Sequence, residues 1–275
     1  MSYLHAILFG LIQGVTWFLP VSSDAHLRVV SALAHWPDPG APFTAVMQLG
    51  SLVAMLVYFR DDLVKLTLGA VRGLKDGHPL ESPESRLAFG ILVGTVPIGV
   101  FGVLFKHEIE GKLRSVYVIA GGLIVLALVL FVAEKVARHQ RDMAQMTFKD
   151  AVVVGFWQVL ALVPGCSRSG STITGGLFLG LERETAARFS FLLGIPATAA
   201  AGLFEARKAF QTTALGHSLV GPTVVATLVA LVTGMAVIAV LLKFLQTHST
   251  MVFVVWRLVL GLGLLALLFL HVIPA

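Results

Sequence analysis

The sequence predicts an all-α integral membrane protein made of two inverted repeats, each a re-entrant helical hairpin followed by three transmembrane helices. Three observations carry that prediction. Hydrophobic residues make up 57% of the chain and charged ones 13%, whereas about a quarter of the residues of a soluble domain are charged. The apolar residues fall in runs close to the ~20 residues that cross a bilayer. Two further apolar arms are too short to cross. Each is broken by a proline and followed by a polar tip of small residues, Pro20-Val21-Ser22-Ser23 and Pro164-Gly165-Cys166-Ser167. Aligning proline with proline sets Ser23 opposite Ser167, 144 positions later, with Gln13 and Gln158 preceding the two prolines. Broken segments at corresponding places in two repeats point to a site at the repeat interface. On this reading residues 1–150 form the first repeat and 151–275 the second, within one membrane domain.

In chain order, 4–19 is the first short arm, interrupted by Gln13 and Gly14 and ended by Pro20. Non-helical backbone at membrane depth survives only against protein or a water-filled cavity, so 21–26 is a turn and 27–34 the returning arm. The loop 35–42 has three prolines and no Lys or Arg. Spans follow at 43–59, 87–105 and 116–133. The stretch 60–86, with Arg60, Lys65, Arg72, Lys75 and Arg86, reads as a cytoplasmic loop, as does 134–150 with Lys135, Arg138, Arg141 and Lys149. The second arm runs 151–163. The polar tip comes next, then a return rich in glycine (Gly170, Gly175, Gly176, Gly180) that suits close helix approach. A polar break at 182–188 precedes spans at 189–204, 222–242 and 251–273. Three spans per half is an odd number, so the second half enters from the opposite side. With the basic loops inside, both termini and the mouth of the first hairpin face outward, leaving Arg207 and Lys208 on the outer side.

The net charge of +5 is no nucleic-acid signal, because the basic residues lie in loops between apolar runs and suit contact with anionic headgroups of membrane lipids. The single cysteine, Cys166, forms no internal disulfide. The amino-terminal residues lack the basic region and small-residue cleavage site of a signal peptide and read as mature protein.

Chemistry concentrates in the two tips. Arg168, in Pro164-Gly165-Cys166-Ser167-Arg168-Ser169-Gly170-Ser171-Thr172, is expensive at membrane depth. It is either an anion ligand, for which its planar fork suits phosphate, or a structural arginine capping carbonyls of a broken helix. A Pro-Gly turn followed by small hydroxyl residues leaves N–H groups to face an anion. In the first tip, Ser22, Ser23, Asp24 and His26 lie within five residues. His26 follows Ser23 by three and shares a helical face with it. The pair is a nucleophile with its base, a proton donor to a leaving oxygen, or simply a helix cap beside an interfacial histidine. Serine and histidine opposite an arginine–glycine cradle suggest attack on phosphorus. Gln48 either bonds across helices or lines the pocket. His107, Glu108 and Glu110 read as a solvated helix end. Trp256 and Arg257 read as an interface anchor, unless Arg257 faces the bundle.

Residues 13–26 (QGVTWFLPVSSDAH) and 164–172 (PGCSRSGST) resemble the two signature motifs of the bacterial undecaprenyl pyrophosphate phosphatase, or bacitracin-resistance protein, family, and the resemblance extends over the whole chain. Gln48-Leu49-Gly50, Phe189 to Pro196 and Arg257 are also similar to that family. The resemblance implies a bacterial inner-membrane enzyme that hydrolyses the C55 isoprenyl pyrophosphate left by cell-wall polymer synthesis, with a divalent cation (magnesium or calcium) and a pocket open to the periplasm. It further implies Ser23 as nucleophile and His26 as its acid/base partner, with Ser22, Ser167, Arg168, Ser169 and Thr172 on the pyrophosphate. Gln13 occupies a place where the family accepts Glu or Gln. One position departs: Trp17 stands where the family usually has Glu. Indole is no ligand for magnesium, which takes oxygen donors, so weak hydrolysis is expected, with Asp24 as a substitute ligand. The competing class is an isoprenyl phosphate flippase, since inverted repeats with broken helices at the midplane are also a transporter architecture.

Overall fold

The computed structural model describes residues 1–34, 36, 40–111, 113, 115–211 and 216–273. Among them are twelve α-helices and one short 3₁₀ turn, in the order α1 (Tyr3–Thr16), α2 (Ser23–Leu33), α3 (Gly40–Tyr58), α4 (Arg60–Lys75), α5 (Pro83–Leu104), α6 (Lys106–Glu110), α7 (Val116–Val136), α8 (Phe148–Val159), the 3₁₀ turn Leu160–Leu162, α9 (Arg168–Phe178), α10 (Arg183–Gln211), α11 (Gly216–Thr247) and α12 (Met251–Phe269). α5, α7, α10, α11 and α12 are long and apolar enough to cross a membrane. α7, at 21 residues, reaches about 32 Å at 1.5 Å per residue, which matches the hydrocarbon core. α3 is the sixth expected span and runs into α4 across a bend of 72°. α1–α2 and α8–α9 are the two short hairpins.

Local chemistry sets the helix starts. Ser82 accepts from the Ser85 N–H ahead of Pro83 at the first position of α5, and Ser115 caps α7. Thr147 and Asp150 form a reciprocal capping box on α8. That helix therefore begins at Phe148, not at the first residue of the apolar arm. The stretch 60–86 is not a loop: 60–75 is α4. Its Val64, Leu68, Val71 and Leu74 form one exposed stripe while Leu66 is buried. Asp61 and Asp62 open it and Arg72 and Lys75 close it, in the sense the helix dipole favours. Charge density hid an amphipathic helix. Likewise 182–188 is no break, since α10 starts at Arg183. α12 stops at Phe269, short of the anticipated end. His107 and Glu108 are exposed on the short α6, as a solvated helix end should be. Of the loop 35–42, positions 35 and 37–39 lie outside the described residues, as do the side chains of Glu110 and Lys208.

The elements of the two halves correspond at an offset of 145 residues, not 144. Ser2 caps α1 and Thr147 caps α8. Gln13 and Gln158 are both fully buried. α2 and α9 start at Ser23 and Arg168 and end at Leu33 and Phe178. The residues before them, Ser22 and Ser167, both hold the left-handed backbone, at φ 70 and 63. The prolines misaligned the halves by one, because Pro20 matches Gly165 and not Pro164. Packing interchanges the halves: α1 lies on α11 and α8 on α5, while α3 and α10 face each other. The core runs through this crossing, where Phe18 meets Phe191 edge-on at 5.5 Å, with Met55, Phe59 and Leu193 around them.

Candidate active site

Both tips line one cavity of about 220 Å³, together with Trp17, Gln48 on α3, Ile98 on α5, Ala161 and Val163 beyond α8, and Ala197, Thr198 and Ala201 on α10. The first tip contributes Ser22, Ser23 and Asp24, and the second Gly165, Ser167 and Arg168. The lining mixes polar and apolar residues, and among them Ala201 and Asp24 are exposed at the surface.

The left-handed turns explain the placement. Left-handed backbone is uncommon for a non-glycine residue, and here it occurs at Ser22 and Ser167, each immediately ahead of a helix. Each turn reverses the chain so that the helix which follows starts at the cavity. Gly165, at φ +91, makes the second reversal, and a Cβ there would collide with the Ile119 carbonyl on α7. Ser167 Oγ caps α9 by accepting from the Gly170 N–H at 3.2 Å, whereas Ser22 makes no side-chain cap on α2. Two helix N-termini thus converge on one space, each with the partial positive charge that favours an anion.

Arg168 is the cation between them. Its Nη1 donates to Thr198 Oγ1 at 3.1 Å, its Cζ stands 5.1 Å from the centre of the Trp17 ring, and its Nε makes no hydrogen bond. The guanidinium faces an aromatic surface where the family pattern would offer a carboxylate. Gly194 on α10 makes room for it, since a Cβ there would overlap Nη1. Sequence reading placed Gly194 in a familiar segment without giving it this task. Gln48 does line the pocket.

Four anticipated site residues stand back from the cavity. Ser169 Oγ, fully buried, donates to the Leu19 carbonyl at 3.0 Å and joins the tips. Thr172 bonds the Arg168 carbonyl and Ser190 Oγ, so it braces α9 against α10. Gln13 is fully buried and neither amide atom has a partner. Both ring nitrogens of His26 are engaged away from the Ser23 hydroxyl: its Nδ1 is 2.8 Å from the Ser22 carbonyl and its Nε2 accepts from Trp256 Nε1 at 2.8 Å. A carbonyl only accepts and an indole only donates, which fixes the ring as neutral with its proton on Nδ1. Ser23 and His26 are therefore not assembled as a nucleophile–base pair in this conformation.

The described residues contain no group of three or more His, Cys, Asp or Glu able to hold a metal ion. Within the cavity the carboxylate is that of Asp24. Magnesium is commonly held by one or two carboxylates plus substrate phosphates. The donor set suits a cation that arrives on a pyrophosphate, and not one held by protein alone.

The model of the family described as "Bacitracin resistance protein BacA" matches residues 6–263. The chain is similar to a protein of Myxococcus xanthus named undecaprenyl-diphosphatase, 54% identical over 268 residues that cover 98% of this chain and 90% of the relative. Proteins with the same name from Chlorobium limicola and Chlorobium phaeobacteroides are 47% and 50% identical, over 100% and 98% of both chains. A polytopic helical fold, two proline-broken tips on one cavity and this likeness along the whole chain agree: the protein belongs to the BacA bacitracin-resistance family.

Proposed function

We propose that the protein is an undecaprenyl-diphosphatase that returns the C55 isoprenyl pyrophosphate to its monophosphate in cell-wall carrier recycling, with the pyrophosphate seated between the two tips. The observation that carries the site assignment is the convergence of two helix N-termini, Arg168 and Ser23 on one cavity lined by both polar and apolar residues. Arg168, unbonded at Nε and held at Nη1 by Thr198 on the cavity wall, binds the pyrophosphate oxygens, and its fixed fork orients them. Ser167 and Ser22 bring main-chain donors of the two turns to the same anion. Ser23 is the nucleophile. Its Oγ forms a bond to the terminal phosphorus as the bond to the bridging oxygen breaks, the lipid monophosphate leaves, and water then releases phosphate from the serine.

His26 acts as the acid/base partner of Ser23 after its ring leaves Trp256. In the conformation described, both ring nitrogens are occupied, so proton transfer at Ser23 requires that exchange. Ser169 and Thr172 hold the tips and do not touch substrate, and Gln13 is buried behind them. Asp24, together with the pyrophosphate oxygens, would hold a divalent cation, magnesium or calcium, and that ion would add charge neutralisation beside Arg168. The two halves are inverted repeats, and the cavity opens on the periplasmic side of the inner membrane.

Phosphate release by the purified protein from undecaprenyl pyrophosphate tests this. Ser23→Ala is expected to lose activity by a factor of roughly ten thousand or more, the scale of losing a nucleophile. Arg168→Ala is expected to abolish pyrophosphate binding in a lipid titration, and Arg168→Lys to restore it poorly, because a point charge lacks the bidentate fork. Wild-type turnover in Ser23→Ala, or wild-type affinity in Arg168→Ala, would remove the site from the tips. The flippase reading finds support in the broken helices alone, and following lipid across vesicle membranes separates it from hydrolysis.

A further inference from the structure

We propose that Arg257 is a positioning residue for the reaction: one buried guanidinium fixes the separation of the two tips by holding the equivalent carbonyl of each. Arg257 lies on α12, distant in sequence from both signature motifs, and is 0% exposed. Its Nη1 donates to the Pro20 carbonyl of the first tip at 3.1 Å. Its Nη2 donates to the Gly165 carbonyl of the second at 2.9 Å, with the Gly122 carbonyl of α7 at 3.1 Å and the Cys166 carbonyl at 3.4 Å. Its Nε donates to the Leu123 carbonyl at 3.2 Å. The hydrogen bonds of this cation thus go to main-chain carbonyls of two turns and of the helix between them.

Pro20 and Gly165 are 145 positions apart, the register that also pairs Ser22 with Ser167. Arg257 therefore grips the same atom of each repeat, two residues ahead of each left-handed serine. Turn carbonyls have no helical partner, and burying them unpaired is costly. The guanidinium satisfies them, and their dipoles in return make its charge tolerable at membrane depth. Because the fork is planar and rigid, the distance between the two carbonyls is fixed by one group. The spacing of Ser23 from Arg168 follows from it. Packing on each side limits other adjustments: a Cβ on Gly170 would stand 3.1 Å from Nη1, and Gly122 sits against the Pro164 carbonyl.

The consequence is catalytic more than it concerns affinity. In-line attack by Ser23 on a phosphorus held by Arg168 depends on the relative placement of the tips. A misplacement near 1 Å costs about a hundredfold in rate. Arg168 stays on its own supports, so lipid binding is less affected. A lysine offers three donors at one point and does not bridge two turns.

The inference rests on the tips forming the phosphatase site. Its test is steady-state hydrolysis of undecaprenyl pyrophosphate by the full-length protein in detergent, with unfolding temperature measured alongside. Arg257→Met and Arg257→Lys are expected to lose about a hundredfold in kcat, with KM within about threefold of the parent. Arg257→Ala is expected to regain at least tenfold in kcat on addition of guanidinium ion, at unchanged unfolding temperature. If the methionine variant does not fold, the lysine variant, which keeps the charge, decides the matter. A kcat within threefold of the parent in a folded variant overturns the proposal, as does a loss that guanidinium does not restore. Failure of the underlying site assignment looks different: Ser23→Ala and Arg168→Ala would themselves remain active.

Discussion

Arg168, half-buried, and Arg257, fully buried, divide between them the two roles that an intramembrane arginine in this sequence suggests. Arg168 presents an unbonded Nε within the cavity wall, whereas Arg257 caps carbonyls. Gly194 decides whether the first role is available. Gly194→Ala drives a Cβ into the space of Arg168 Nη1, and a lipid pyrophosphate titration is expected to show at least a tenfold loss of affinity. Unchanged affinity would mean that the guanidinium binds from another rotamer. Trp17 is the second test at this scale. It lies one helical turn past Gln13, at the end of α1, with its ring on Arg168 and its indole N–H unbonded. Trp17→Glu gives the cavity a second carboxylate beside Asp24. Phosphate release with magnesium or calcium is expected to rise about a hundredfold, the scale on which electrostatic groups act in catalysis, and to become more sensitive to chelation. A Trp17 protein that is already fast and cation-dependent would show that the ligand lies elsewhere. Residue types and motif spacing made Ser23, Arg168 and the two tips legible in the sequence. The partners of His26 were not, because Trp256 stands 230 positions away, and a spacing of three within one helix says nothing about a third helix that captures the ring.

At the scale of elements, each hairpin is a short helix pair whose ends need anchoring, and the second shows how. Arg141 bonds Asp150 at the start of α8 and the Leu179 carbonyl at the end of α9, so one side chain ties the two feet of the hairpin. Burial by itself pushes the Asp150 carboxyl up. The Arg141 guanidinium, with the Thr147 N–H and hydroxyl, more than reverses this and holds it below the ordinary aspartate value. A carboxyl lowered by folding stabilises the protein above its unfolded pKa, and the stabilisation is lost as pH falls through the lower folded value. Asp150→Asn leaves an amide oxygen to accept from the Thr147 N–H but removes the charge that pairs with Arg141, and is expected to cost about 1 kcal/mol at neutral pH. It should also flatten the acid limb of stability measured by thermal unfolding between neutral pH and about pH 3. An acid limb identical to the parent's would assign the pH dependence to other groups. Helix caps such as Thr147 were legible in principle from a hydroxyl ahead of an acidic residue three on. α4 was not, because its exposed apolar stripe alternates with charges and a mean over the stretch erases the period. An amphipathic helix of that kind is suited to the membrane surface, with an aliphatic face for lipid and lysines and arginines for the headgroups.

For the whole molecule, the interchange of packing partners between the halves brings both tips to one cavity of two turns. α1 rests on α11 as α8 rests on α5, so neither half has a buried seat for its hairpin without the other. Further ties lie at the far end of the spans, where Glu134 on α7 accepts from Arg183 at the start of α10 and from Thr250 ahead of α12. Arg188 bonds Asp62 on α4 in the same region. These charged groups gather with the basic segments 60–75 and 134–150, on the side that the charge rule makes cytoplasmic. The tips, by contrast, follow α1 and α8 and line the cavity, where Asp24 is exposed. Cysteine labelling in intact cells decides the orientation. With the native Cys166 replaced by serine, Asp24→Cys is expected to react with a membrane-impermeant maleimide added outside the inner membrane. Lys75→Cys at the end of α4 should react only after permeabilisation. Prior undecaprenyl pyrophosphate should slow labelling at position 24 and leave position 75 unaffected, since the substrate would occupy the mouth where Asp24 stands. The reverse pattern of accessibility would place the cavity on the cytoplasmic face, and a carrier lipid released outside the membrane would then have to be flipped before this enzyme met it.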